Sequence, residues 1–137
     1  CKLPIQLATH NELLLRGHIY LAPDDYHLTA TFGNRILLNQ EPPEYGGLRP
    51  SVSNLFRSVA RVFGNDAIGV LLTGMGKDGA KELKILRDSG GITIVQDKES
   101  SIVHGMPGEA IKLNAAKYIL PPDEIAAILI NAVNKKK

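Results

Sequence analysis

Between Ala67 and Leu86 the chain reads AIGVLLTGMGKDGAKELKIL, and no other stretch limits its folding so tightly. Ala67 to Leu72 is apolar and of strand length, Gly74, Gly76 and Gly79 follow within six residues, and from Ala80 the apolar residues recur with helical period. This pattern is a strand, a tight turn and a helix. Glycine lacks a Cβ and tolerates φ > 0, so such a turn bends sharply and lets backbone approach whatever lies above the strand end. Asp78 is its only acidic residue. It stands at a helix N-cap position, where a carboxylate accepts backbone N–H groups from the first turn.

The flanking sequence extends this unit into a layered fold. Cys1 to Leu7 is short and apolar, with no opening cap or turn, as if the chain began partway through a larger unit. His18 to Ala22 is β-rich and closes on the turn residues Pro23-Asp24-Asp25. His27 to Phe32 and Arg35 to Leu38 flank Gly33-Asn34 and read as a hairpin, within a region 17–40. The next stretch, 41–50, holds three prolines and two glycines and must be a loop. From Ser51 the period becomes helical, with Val52, Leu55, Phe56, Val59, Ala60 and Phe63 on one face and Ser51 or Ser53 as cap.

After the central unit come a β-branched strand, Ile92 to Val95, and a short helix, Met106 to Asn114, with Pro107 in its first turn. A strand at Tyr118 to Leu120 follows, and a last helix, Glu124 to Asn134, is capped by Asp123. Helix and strand thus alternate over 51–134, which predicts an α/β fold: a doubly wound, mostly parallel sheet with an antiparallel hairpin near the N-terminus.

Composition narrows the classes of function. With 137 residues, 44% of them hydrophobic and 22% charged, the chain has the size and make-up of one domain able to bury a core. It has no apolar run long enough to span a bilayer and no signal-peptide layout, so no membrane insertion and a cytoplasmic location are expected. The single cysteine, Cys1, excludes an internal disulfide, and no Cys/His spacing suits zinc. The formal charge is only +2, with Lys135 to Lys137 contributing three of the positive charges, and no basic face with interleaved aromatics for nucleic acid is legible.

In open α/β sheets, ligands and chemistry collect beyond the carboxyl ends of the strands. Three strand-end turns qualify: Thr73 to Gly79, Gln96 to Pro107, and Pro121-Pro122. The first is literally G-x-G-x-x-G, Gly74 to Gly79, and Asp97 ends the next strand, so a dinucleotide site is one reading. Against it, Asp78 would sit where a pyrophosphate needs a positive helix N-terminus. The other use of a carboxylate at such a position is to orient a histidine that activates a serine, with glycine-turn N–H groups stabilising the oxyanion.

The run GVLLTGMGKDGA from Gly69 to Ala80 is preceded by LRPSVSNLFRSVA from Leu48 to Ala60 and followed by GGITIVQDKESSIVHGMPGEAI from Gly90 to Ile111. Together these closely resemble the catalytic domain of the chemotaxis protein-glutamate methylesterases, the CheB family, from about Gly17 to the last helix. The resemblance implies a serine hydrolase without metal or organic cofactor. It acts on glutamate methyl esters, and deamidates certain glutamines, on the cytoplasmic helices of methyl-accepting chemoreceptors. It further implies a phosphorylatable receiver domain ahead of the catalytic domain. By the same resemblance Asp78 is the triad acid and the Met75 backbone N–H belongs to the oxyanion hole.

The family's nucleophile turn, G-x-S-T-G-G, and its Q-H-M histidine stretch are not present in these 137 residues. The chain is therefore expected to be the later part of the catalytic domain, lacking its first strands and inactive alone. Loss of a neighbour would leave the Ala67 to Leu72 strand with an exposed edge, so oligomerisation through that edge is expected. A noncatalytic module binding chemoreceptors or a receiver domain is the alternative. Ser51 and Ser53 read as caps, His18 and His27 as surface or sheet residues, and His10 as a loop residue without a partner. His104 occupies a strand-end loop where the family has an aromatic residue, and Gly108 a position where it has a basic one. For the intact enzyme, Asp78→Asn is expected to lower turnover by several orders of magnitude while leaving folding nearly intact.

Overall fold

The structure is a computed structural model that describes residues 2–44 and 47–135. Cys1, Tyr45, Gly46, Lys136 and Lys137 lie outside the described residues. The expected loop 41–50 is thus followed only at its two ends, and the lysine tail only to Lys135, which still belongs to the last helix.

The chain opens with two short parallel strands, β1 (Ile5–Leu7) and β2 (Ile19–Leu21), in the register Ile5 to Ile19. The apolar opening thus pairs with the run after Gly17, while Ile5, Leu7 and Leu21 keep half or more of their surface exposed. The hairpin follows as β3 (His27–Thr31) and β4 (Arg35–Asn39), antiparallel around Gly33-Asn34, both of which have positive φ as the tight connection requires.

Helix α1 (Val52–Phe63) carries Ser51 as its N-cap: the Ser51 hydroxyl accepts the Asn54 N–H at 3.2 Å. It packs on β3, where Ser58 Oγ takes the Ala30 N–H at 2.9 Å. A single 3-10 turn (Gly64–Asp66) leads to β5 (Ile68–Leu71), then α2 (Ala80–Asp88), β6 (Ile92–Gln96), α3 (Met106–Lys112), β7 (Tyr118–Leu120) and α4 (Pro122–Lys135). The last three strands form one parallel sheet in the order β5-β6-β7.

Side chains alternate across a strand, so Gly69, Leu71, Thr93 and Val95 share one face. That face meets a core of Phe56, Ala60, Leu83, Leu86 and Ala110 from α1, α2 and α3. Fully burying a leucine contributes roughly 1.5–3 kcal/mol, so Leu83 and Leu86 alone are a large share of the hold between α2 and the sheet. Gly69 is small because α2 lies directly on it: a Cβ there would stand 2.6 Å from Leu86 Cδ2 and 2.9 Å from Leu83 Cδ1. Ile94, fully buried but outside that core, points to the opposite face, and α4 contacts the same strand.

One cap differs from its expectation. The Glu124 and Ile125 N–H groups both donate to the Pro121 carbonyl, so α4 begins one residue before Asp123. Proline at the first helical position sacrifices no bond, and Asp123 acts within the first turn on the helix dipole.

Candidate active site

Asp78 does cap a helix, but not the one it precedes. The N-cap of α2 is Gly79, in the left-handed conformation and without a side-chain bond. The Asp78 carboxylate turns instead to the start of α1: Oδ2 accepts the Val52 N–H at 2.7 Å, and Oδ1 accepts the Ser53 N–H at 3.0 Å together with the Ser53 hydroxyl. The reason is positional. Gly79, at φ +88°, takes the backbone past Val52, and a Cβ on it would stand 2.6 Å from Val52 Cγ1. This close approach seats the turn after β5 on the N-terminus of α1, whose unpaired N–H groups need acceptors.

Asp78 is only 3% exposed. A carboxylate offers about four lone-pair sites, and three are taken here, two on Oδ1 and one on Oδ2. One acceptor position on Oδ2 remains. The arrangement holds the carboxylate in one orientation and leaves it able to receive one more donor.

Ser53, expected as a cap, is a bridge. Its hydroxyl donates to Asp78 and accepts the Gly79 N–H at 3.1 Å, and the residue is fully buried. Its proton and its position are thus both committed, which removes it from consideration as a nucleophile.

The turn itself is fixed from the other side by the segment Val103 to Met106. Gly74 N–H donates to the Val103 carbonyl at 3.0 Å, and the Gly74 carbonyl accepts both the Gly105 N–H at 3.0 Å and the Met106 N–H at 2.9 Å. Thr73 is held through its N–H to Gln96 Oε1 at 2.8 Å, and its hydroxyl donates to the Val103 carbonyl at 2.9 Å. Met75 stands at the tip, 78% exposed, and among the described residues its N–H has no protein acceptor. The turn therefore presents an unused backbone donor held by a rigid base, the type of group that stabilises a developing oxyanion.

Gln96 and Thr73 were missed by sequence reasoning. The available signal was a polar side chain ending the otherwise apolar run Ile92 to Val95, at the strand end where sites form. Asp97, considered above as a ribose acid, organises its own turn by accepting the Ser100 N–H at 3.0 Å.

None of the four histidines hydrogen-bonds Asp78 among the described residues. His27 opens β3 and is fully buried, not at the surface, with Nδ1 accepting the Ser51 N–H at 3.2 Å. His10 does have a partner, since its Nδ1 accepts the Leu38 N–H at 3.0 Å. His18 lies 2.9 Å from the Arg16 carbonyl, and His104 Nε2 lies 3.2 Å from the Gln96 carbonyl. A carbonyl only accepts, so the facing ring nitrogen carries the proton in each.

Farther along α1, Arg57 lies between Glu44 and Glu82. The hydrogen bonds that Arg57 donates to Glu44, reinforced by the charges of both carboxylates, hold its pKa above the usual arginine value against the opposing effect of burial.

The family described as CheB methylesterase matches residues 1–129. The chain belongs to the CheB methylesterase family. A protein-glutamate methylesterase/protein-glutamine glutaminase of Geobacter metallireducens is 56% identical over 135 residues, 98% of this chain and 39% of the relative. A protein of the same description from Nitrosospira multiformis is 54% identical, over 98% of this chain and 38% of its own length. The crystal structure of the Thermotoga maritima CheB methylesterase catalytic domain matches with a TM-score of 0.85 at 33% identity, covering 92% of this chain and 68% of that one.

The α/β architecture, with parallel sheet and hairpin, is thus that of a CheB catalytic domain. The chain spans about two fifths of the length of these curated relatives. Among the described residues β5 is an edge strand of its sheet. No helix among the described residues is long and apolar enough to cross a membrane.

Proposed function

We propose that this chain carries the acid and one oxyanion donor of a serine-type protein-glutamate methylesterase and protein-glutamine glutaminase acting on chemoreceptor helices. The reading is carried by one observation: Asp78 is buried at the carboxyl end of β5, clamped by three donors, with one acceptor position on Oδ2 left. That position suits the Nδ1–H of an imidazole. On this reading the serine and histidine are supplied from outside these residues, since the family's nucleophile and histidine motifs are not among them.

In the reaction, the histidine takes the serine hydroxyl proton as the serine oxygen bonds to the glutamyl ester carbon. Asp78 holds the imidazole in the required tautomer and stabilises the imidazolium. The Met75 N–H meets the oxyanion, methanol leaves with the proton from the histidine, and water then cleaves the acyl-enzyme to give glutamate. With a glutamine substrate the leaving group is ammonia. The test is release of methanol from a methylated receptor by the complete gene product, compared with its Asp78→Ala variant. Equal rates would exclude the role given to Asp78.

A further inference from the structure

At the 74–79 turn lies an open groove of about 590 Å³ whose lining includes Gly76, Lys77, Lys98, His104, Gly108 and Lys112. Its charge is one-sided. The only carboxylate in its lining is Glu109, which stands 3.9 Å from Lys112 in an i, i+3 pair. Among the described residues, neither Lys77 nor Lys98 has an ion-pair partner.

Gly108 and His104 both line the groove. A Cβ on Gly108 would stand 3.1 Å from His104 Nδ1, so a side chain at this position would crowd the imidazole. The two departures from the family pattern noted in the sequence, His104 and Gly108, are thus neighbours that together shape this groove. Its wall begins one residue after Met75, the proposed oxyanion donor, so whatever occupies it is adjacent to the reacting group.

We propose that this groove is a subsite for carboxylate side chains of the polypeptide substrate, one helical turn from the reacting glutamyl group. The proposal rests on the hydrolase reading above and names the substrate class within it. Both reactions in that reading turn a neutral side chain into glutamate. A substrate modified at several positions therefore gathers carboxylates around each site still to be processed. A groove with two uncompensated lysines favours such partly processed segments. Residues three or four apart on a helix are surface neighbours, which brings a flanking carboxylate to the groove while the ester faces the Met75 turn.

The test uses the complete gene product and two helical peptides, each with one glutamyl methyl ester, flanked at i−4 and i+4 by glutamates in one and by alanines in the other. Methanol release is followed at low and high salt. The expected result is a kcat/KM about fivefold higher for the acidic peptide at low salt, as two exposed ion pairs allow, shrinking as salt screens them. In Lys98→Glu that ratio should fall to one or below, and in Lys77→Gln it should shrink. Equal rates on both peptides, or a preference unchanged in both variants, would overturn the subsite and leave the hydrolase reading standing. Failure to hydrolyse either peptide or a methylated receptor would overturn the hydrolase reading itself, and the subsite with it.

Discussion

Ser53 meets Asp78 twice, through its N–H at 3.0 Å and through its hydroxyl, while the same hydroxyl accepts the N–H of Gly79 at 3.1 Å. The turn after β5 and the first turn of α1, 25 residues apart in the chain, are thereby locked into one unit. The acid proposed for catalysis is also what satisfies the open end of a helix. On that proposal, stability and chemistry draw on the same carboxylate.

Replacing Ser53 by alanine removes the bridge and keeps the helix. The Gly79 N–H then loses its acceptor in a buried site, and Asp78 loses one of its three donors. An unsatisfied buried group costs about 1–3 kcal/mol. Urea unfolding of Ser53→Ala should show an unfolding free energy lower by that amount, as a lower midpoint with an unchanged slope. A midpoint equal to wild type would mean that the hydroxyl bridge contributes nothing.

Asp78→Asn tests both roles at once. If Asp78 is the triad acid proposed above, losing its carboxylate should lower turnover by about 10⁴, as it does in a Ser-His-Asp triad whose acid is changed to asparagine. The sequence alone suggested that folding would be nearly intact, but the contacts argue otherwise. An asparagine has one acceptor oxygen, so if that oxygen keeps the two Ser53 donors, its NH₂ faces the Val52 N–H, donor against donor. A loss of about 1–3 kcal/mol is expected beside the kinetic loss, read by denaturation of the same preparation. Unchanged stability with a large rate loss would show that the turn relaxes around the amide.

Much of this was legible because it is local. The run Ala67 to Leu72 contains β5, Gly33-Asn34 marks the hairpin turn, and the period from Val52 to Phe63 is α1 residue for residue. Contacts made across long separations were not legible. An Asp ahead of a helix reads as that helix's cap, and nothing nearby in sequence shows that its oxygens turn to a helix start 25 residues earlier. His27 looks like any histidine at a strand start, yet α1 covers it and Ser51 donates to it. The pairing of β1 with β2 escaped notice for the same reason, since a parallel partner has no hairpin turn to announce it.

Gly69→Ala separates packing from chemistry. The added methyl would meet Leu86 and Leu83 at 2.6 and 2.9 Å in the core beneath the turn, away from the Asp78 carboxylate. Both neighbours are side chains and can shift, but overfilling a packed core typically costs about 1–3 kcal/mol. The expected outcome is a lower melting temperature with turnover per folded molecule near wild type. A comparable loss of turnover in the folded fraction would indicate that α2 transmits strain to the turn.

Gly105→Ala does the reverse, acting on the turn with little leverage on the core. Gly105 has φ −78°, which alanine adopts freely, so backbone strain at the site itself is not at issue. Its Cβ, however, would stand 2.8 Å from the Gly74 carbonyl oxygen, 2.9 Å from the Gly76 nitrogen and 3.1 Å from Met75 Cα. All three are backbone atoms and cannot swing aside as a side chain does, so the turn bearing the Met75 N–H must move away. The hydrogen bonds from Gly105 and Met106 to the Gly74 carbonyl hold it against that movement, and the displacement falls on the tip. Misplacing an oxyanion donor acts on the transition state more than on the bound substrate, and losing one outright costs about 10²–10³ in turnover. In the complete gene product Gly105→Ala should therefore lower kcat by up to that factor with KM nearly constant. A raised KM with kcat preserved would assign the 74–76 turn to substrate binding and remove Met75 from the oxyanion hole.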